Sequence, residues 1–390
     1  MFLAVLMLTM QQAGAPPPPQ ADVVIVGNRM REALEKCLAR NCPPEEEADA
    51  AMNAGSESFM NGRYDEAGQI LRRAISRNKR YAARMPGRVS DLYATYADVA
   101  QHHGNEAAFR RATLESVDVL RDELGQSHPA AIGASSRIGD MWVKLGNARA
   151  ADDAYRAAAE AASRAGNVNK AAELTFRRAW IALAAGNHAE ARRLLGQMER
   201  ERGGEPRFAS LLRVLRARIA LAEGVPGAID ALVSAMPQTR RAAPVLVYAP
   251  PYPELDASTD SGMSASRGID ISGAQANTSL NRGGDLRWAD IGFWVRGDGR
   301  AADIEILRPA RGTEWAKALK KQIAERRYAA TADQSGDLGQ YRVERFTLRT
   351  EIGLATGSRI VTRHGRPTLQ VVDLTQLAMR DTGPPAAANP

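Results

Sequence analysis

The chain has 390 residues, room for two or three folded units with a substantial core. Hydrophobic residues at 44%, charged residues at 25%, 33 Gly and 20 Pro exclude wholesale disorder, a collagen-like repeat and a membrane-embedded chain. The 52 basic and 45 acidic residues leave an excess of only +7, so no nucleic-acid partner is expected, and aromatics at 5% favour packed helices over an all-β sandwich.

The first segment, residues 1–20, opens with the apolar run Phe2 to Met10, followed by Ala13-Gly14-Ala15 and Pro16 to Pro19. Spanning a bilayer takes roughly 20 apolar residues, so no membrane span is expected and the pattern reads as a secretory signal. Residues 21–44 form an extension carrying the only two cysteines, Cys37 and Cys42. In an exported chain they form a disulfide; in a cytosolic one they are independent thiols. On an unbroken helix five positions leave the side chains about 140° apart, so a bond requires the helix to end between them. Asn41 and Pro43-Pro44 supply that end. No His or further Cys is nearby to complete a zinc site.

Residues 45–236 carry a repeat. Gly62, Gly104, Gly146, Gly186 and Gly224 follow one another at spacings of 42, 42, 40 and 38, each between two stretches of apolar or small residues at helical period. This predicts a helix hairpin repeated five times. The unit resembles the tetratricopeptide repeat (TPR). Gly55, Gly62, Tyr64, Ala67 and Ala74 fall on the family's small and aromatic positions in the first unit, and Gly139, Gly146, Ala151, Tyr155 and Ala158 in the third. Ala97, Ala179 and Ala217 stand at the first-helix Gly position in the other units. The long period, with Leu124-Gly125 and His128-Pro129, resembles the longer repeats of kinesin light chains. The resemblance implies a right-handed solenoid whose concave groove takes protein or peptide ligands; a spacer role is the alternative.

In residues 237–285 the helical period gives way to Pro, Ser, Gly and Asp, predicting a linker with one strand-like island at Val245 to Tyr248. From 286 to 375 the period becomes two. Ile291, Phe293 and Val295, then Ile304 and Ile306, flank an Asp298-Gly299 reversal and predict a β-hairpin. Trp315, Leu319 and Ile323 predict a helix capped by Thr313. A strand follows at Gln340 to Thr350, where Val343 and Phe346 have opposite parity and imply a bulge or cover on both faces. A further hairpin about His364-Gly365 and a disordered tail at 376–390 complete the reading.

This order resembles the C-terminal domain of TonB. Phe293 and Val295, Asp298-Gly299, Asp303 to Leu307 and Arg326-Arg327-Tyr328 carry the resemblance, and a Pro-Tyr-Pro at Pro251 to Pro253 lies far upstream of its usual place. It implies a small α+β domain that accepts an added strand along Tyr341, Arg342, Val343, Glu344, Arg345, Phe346 and Thr347. The segment Asp22 to Gly27 is similar to the TonB box that pairs in this way.

No catalytic, cofactor-binding or metal-ligating residues are expected. Gly297-Asp298-Gly299 leads into a strand, Val23 to Gly27 lacks the Gly-rich turn, and His102, His103, His128, His188 and His364 form no ligand pattern, with solvated or capping roles expected for His102 and His103. The basic stretch Lys320 to Arg327 reads as a solvated helix face. The expected fold is mainly α, a TPR-like solenoid followed by an α+β domain. The expected role is a non-enzymatic scaffold in the periplasm. The alternatives are an accessory to TonB-dependent transport, or an envelope enzyme whose site no motif discloses. The sequence sets no oligomeric state.

Overall fold

The computed structural model describes residues 28–235, 244–255, 285–310, 312–329, 339–354 and 361–375. The signal-like segment, Asp22 to Gly27 and the tail lie outside them.

Helix α1 (Arg29–Ala39) precedes five helix pairs: α2 (Pro44–Met60) with α3 (Tyr64–Asn78), α4 (Pro86–His103) with α5 (Glu106–Leu124), α6 (Pro129–Lys144) with α7 (Ala148–Arg164), α8 (Val168–Ala184) with α9 (His188–Arg202), and α10 (Pro206–Ala222) with α11 (Ala228–Ala235). Each aligned glycine sits at the tip of one pair in the left-handed region, where a side chain is strained: Gly62, Gly104, Gly146, Gly186 and Gly224 have φ of 74°, 86°, 73°, 75° and 85°. At three tips the next residue, Asn105, Asn147 or Asn187, caps the following helix with its side-chain oxygen. Small residues let the helices approach. A Cβ on Gly55 would lie 2.8 Å from Leu71, and one on Gly139 would enter the Tyr155 ring.

First helices of successive units also touch, α2 with α4, α6 with α8 and α8 with α10, which puts first helices on the inner side of the curve. Ion pairs cross between them: Asp49 with Arg88 at 3.0 Å, Asp91 with Arg137 at 3.4 Å, Asp98 with Lys144 at 3.7 Å, and Asp140 with Arg177.

The remainder is α+β. Strands β2 (Asp285–Val295), β3 (Ala301–Ala310), β5 (Gln340–Leu354) and β6 (Val361–Asp373) form an antiparallel sheet of order β3-β2-β5-β6. Helix α12 (Glu314–Ala324) covers one face, burying Trp315, Leu319 and Ile323 against Ala289, Ile291, Phe293, Val295, Phe346 and Leu348. Thr313 stands at the helix start, but its backbone carbonyl rather than its side chain accepts the first amides. Strand β1 (Leu246–Tyr248) pairs with β4 (Arg327–Tyr328).

Three expectations change. The segment His364-Gly365 turns no hairpin: β6 continues through it with a register shift between Arg349 and Glu351, because the long β5 offers a bonded partner on either side. Residues 244–255 are not free linker. Gln322 donates to the Pro250 carbonyl at 2.9 Å, and Tyr252 meets Phe346 edge-on at 6.3 Å between ring centres. Tyr341 to Thr347 is not a sheet edge. It lies in β5, bonded to β2 throughout and to β6 from Glu344 onward, so from Glu344 to Thr347 the backbone groups an incoming strand needs are taken.

Candidate functional site

Strand alternation sorts the sheet residues onto two faces. Glu344, Phe346 and Leu348 point to α12; Arg345, Thr347 and Arg349, with Trp288 and Asp290 of β2, point the other way. All of the second set except Trp288 are buried, as they dock on the tips of the first two helix pairs. The register against β2 is unbroken, so Val343 and Phe346 simply face opposite sides of the sheet, Phe346 under α12 and Val343 half-buried on the solenoid-facing side.

The contact centres on Arg345, which is fully buried. Its guanidinium grips Asp290 through two bonds of 2.6 and 2.9 Å. The same group donates to the carbonyls of Phe59 and Met60, each at 2.6 Å. Those carbonyls end α2 and carry the negative end of its dipole; the Phe59 carbonyl also accepts from the Gly62 amide at 2.9 Å. The Arg345 guanidinium stacks on Trp288 at 4.1 Å, and Arg308 adds bonds to Asp290 at 2.9 Å and to Met60 O at 3.3 Å. Burial works against the Arg345 cation, but Asp290 and Tyr64 together more than offset it and leave its pKa above the ordinary arginine value.

Around this clamp the tips are shaped to receive the sheet. A Cβ on Gly62 would fall inside the Trp288 ring, and one on Gly104 would collide with Arg349. Thr347 Oγ1 lies 3.3 Å from the Tyr64 hydroxyl and 3.2 Å from His102 Nδ1, and Gln101 donates to Gln370 of β6. His102 is thus buried, not solvated. Burial first, then the positive charges of Lys144 and Arg345, lower its pKa to about 3. Burial likewise raises the Tyr64 phenol.

A second contact lies at the other end of the solenoid. Val247 of β1 packs with Val214, Ile229 and Leu232, and Arg218 lies between the Trp180 and Tyr248 rings at 5.0 and 5.2 Å. The α+β domain therefore holds the first, second and fifth units together. At Gly146, Gly186 and Gly224 a Cβ would meet nothing within 4 Å, so those tips are open.

The expected site residues divide accordingly. Cys37 and Cys42 are joined in a disulfide, with Asn41 in the left-handed region between them. Cys37, Cys42 and Glu46 lie close together, but the two sulfurs are already bonded to each other. Of the TPR positions, Ala67, Ala74, Ala151 and Ala158 are buried in the helix pairs, whereas Gly62 and Tyr64 serve the docking contact. Arg326, read as part of a solvated face, is buried and bonded to Glu344 at 2.8 Å; His128 caps α6. Asp290, Trp288 and Arg308 carry no sequence signal of their own, because alternating polar residues on a strand look like a solvated face. Two cavities flank the first units. One of about 310 Å³ is lined in part by Asp65, Arg72, Tyr96 and His103; the other, of about 500 Å³, is lined in part by Glu45, Glu46 and Asp49, whose carboxylates already pair with Arg84, Arg40 and Arg88.

No protein-family model and no curated protein matches the sequence. Solved structures similar to it include TPR-like repeats of a Podosopora anserina kinesin light chain, 15% identical over 49% of this chain and 93% of that one, at a TM-score of 0.39. A Rap protein complexed with Competence and Sporulation Factor is 14% identical over 53% of this chain and 56% of that one, also at 0.39. The apo quorum sensor NprR from B. thuringiensis is 13% identical over 49% and 64%, at 0.22. This chain thus spans little more than half of the Rap protein. The helical-repeat assignment rests on the five helix pairs themselves.

Proposed function

We propose that this protein is a non-catalytic scaffold that binds a protein or peptide on the solenoid's inner face and on the tips its own α+β domain leaves open. The observation that carries the reading is the selective seating of the sheet. It occupies tips one and two and grips unit five, while Gly146 and Gly186 remain uncovered. A repeat solenoid supplies a long surface of this kind, and closing its ends on a rigid domain reduces the ordering cost of binding. We place the scaffold in the periplasm, a reading supported by the signal-like residues 1–20 and the Cys37–Cys42 disulfide. We read the α+β domain as TonB-like, supported by its hairpin-helix-strand order and by the packing of Pro250 to Leu255 on its helix and sheet. Service to TonB-dependent transport is the second reading.

Photo-crosslinking in intact cells tests this. A crosslinker at Arg137 or Glu173 on the first helices should capture one discrete protein, and one at Arg111 or Arg164 on the second helices should not. Equal capture at both sets, or none from the first helices, would defeat the scaffold reading.

A further inference from the structure

The solenoid-facing side of the sheet is only half used. Beyond Asp290 it continues as Gly292 and Trp294 on β2 and Val343 and Tyr341 on β5, directly paired, with Leu307 beside them. The Trp294 and Tyr341 rings lie 5.1 Å apart, and the Tyr341 hydroxyl lies over Gly292 where a Cβ would stand. Tyr341 is 39% and Leu307 37% exposed, and among the described residues no hydrogen bond, ion pair or ring contact joins this half to the helices. It is an apolar platform continuous with an interface already formed.

The docked half shows what such a platform takes. Trp288 covers the bare tip glycine Gly62, and Phe59, three residues earlier, is buried beneath the sheet. Unit three offers the same pieces unoccupied: Gly146 has nothing within 4 Å, and Val143, three residues earlier, is 47% exposed. We propose that the Trp294–Tyr341 platform seats the third-unit tip of a second copy of this chain, Val143 against Leu307 and the rings and Gly146 under Trp294. Platform and tip belong to the same chain, so a reciprocal exchange closes as a two-fold dimer.

The test is the mass in solution of the full chain at about 50 μM, a concentration that populates a micromolar dimer. Wild-type protein should be dimeric, and Trp294→Ser and Val143→Glu should each be monomeric with unchanged circular dichroism. Mixing the two variants at about 1 mM should restore a heterodimer, since one of the two contacts is intact and half the binding free energy of a micromolar dimer corresponds to a Kd of about 1 mM. A monomeric wild-type protein, a dimer indifferent to either substitution, or a mixture that stays monomeric would overturn the proposal. None of these results depends on whether another protein binds the inner face.

Discussion

At the scale of single residues, the docking contact depends on charges that have left water together. Arg345 and Asp290 are both fully buried, so removing one strands the other. Arg345→Ala should destabilise the protein by about 3–5 kcal/mol, more than an exposed pair such as Arg88 with Asp49 is worth. Urea denaturation of Arg345→Ala and Arg88→Ala measures the difference, and equal losses would mean the Asp290 site is wet. His102 gives a pH dependence of fixed sign. Its folded pKa is about 3, below that of an unfolded His, so the unfolded state binds a proton first as pH falls. Thr347, Tyr64, Lys144 and Arg345 around it offer the imidazolium no acid. Its stabilising contribution is complete above roughly pH 6.5 and declines by about 1.4 kcal/mol per pH unit below that, toward pH 3. His102→Gln should flatten the stability profile between roughly pH 6 and 4 relative to wild type; parallel profiles would show that the ring is solvated.

At the scale of elements, the helix pairs were legible because their signals are local. A left-handed glycine and a small residue at a helix crossing are visible in one chain segment. The same glycine can carry a second duty that no local pattern discloses. Gly62 and Gly186 look alike in sequence and share nearly the same φ, yet only Gly62 supports Trp288. Gly186→Ala should therefore cost only the left-handed strain, about 1–2 kcal/mol. Gly62→Ala adds a clash with an indole held by Arg345 and should cost clearly more. Thermal melts of the two variants compare them directly. The sheet was harder to read for the opposite reason. The hairpin and helix follow from period and turn chemistry, but the sheet order depends on β6 reaching β5, and Arg345, Thr347 and Arg349 alternate as polar residues do on a solvated face. Nothing in the strand itself says that a helix end waits for them.

At the scale of the whole molecule, the question is whether solenoid and sheet unfold as one body. Repeat arrays gain stability from neighbour contacts and can fray from an end. Here the first two units are fastened to the sheet through Arg345, Trp288 and Thr347, and the fifth through Val247 and the Arg218 sandwich. Fraying of either end requires breaking a tertiary contact as well as a neighbour contact, so the two parts should melt in a single calorimetric transition. Arg345→Ala releases one fastening and should split that transition in two. Amide exchange should then rise at residues 62–64 and 104–106, while α12 and the β2 amides it covers stay protected. A partner bound to the inner face would act against this splitting, because it spans the same units that the sheet holds together. Two transitions in the wild-type protein would show instead that the solenoid and the sheet are only neighbours, and one in Arg345→Ala would show that the remaining contacts couple them without this clamp.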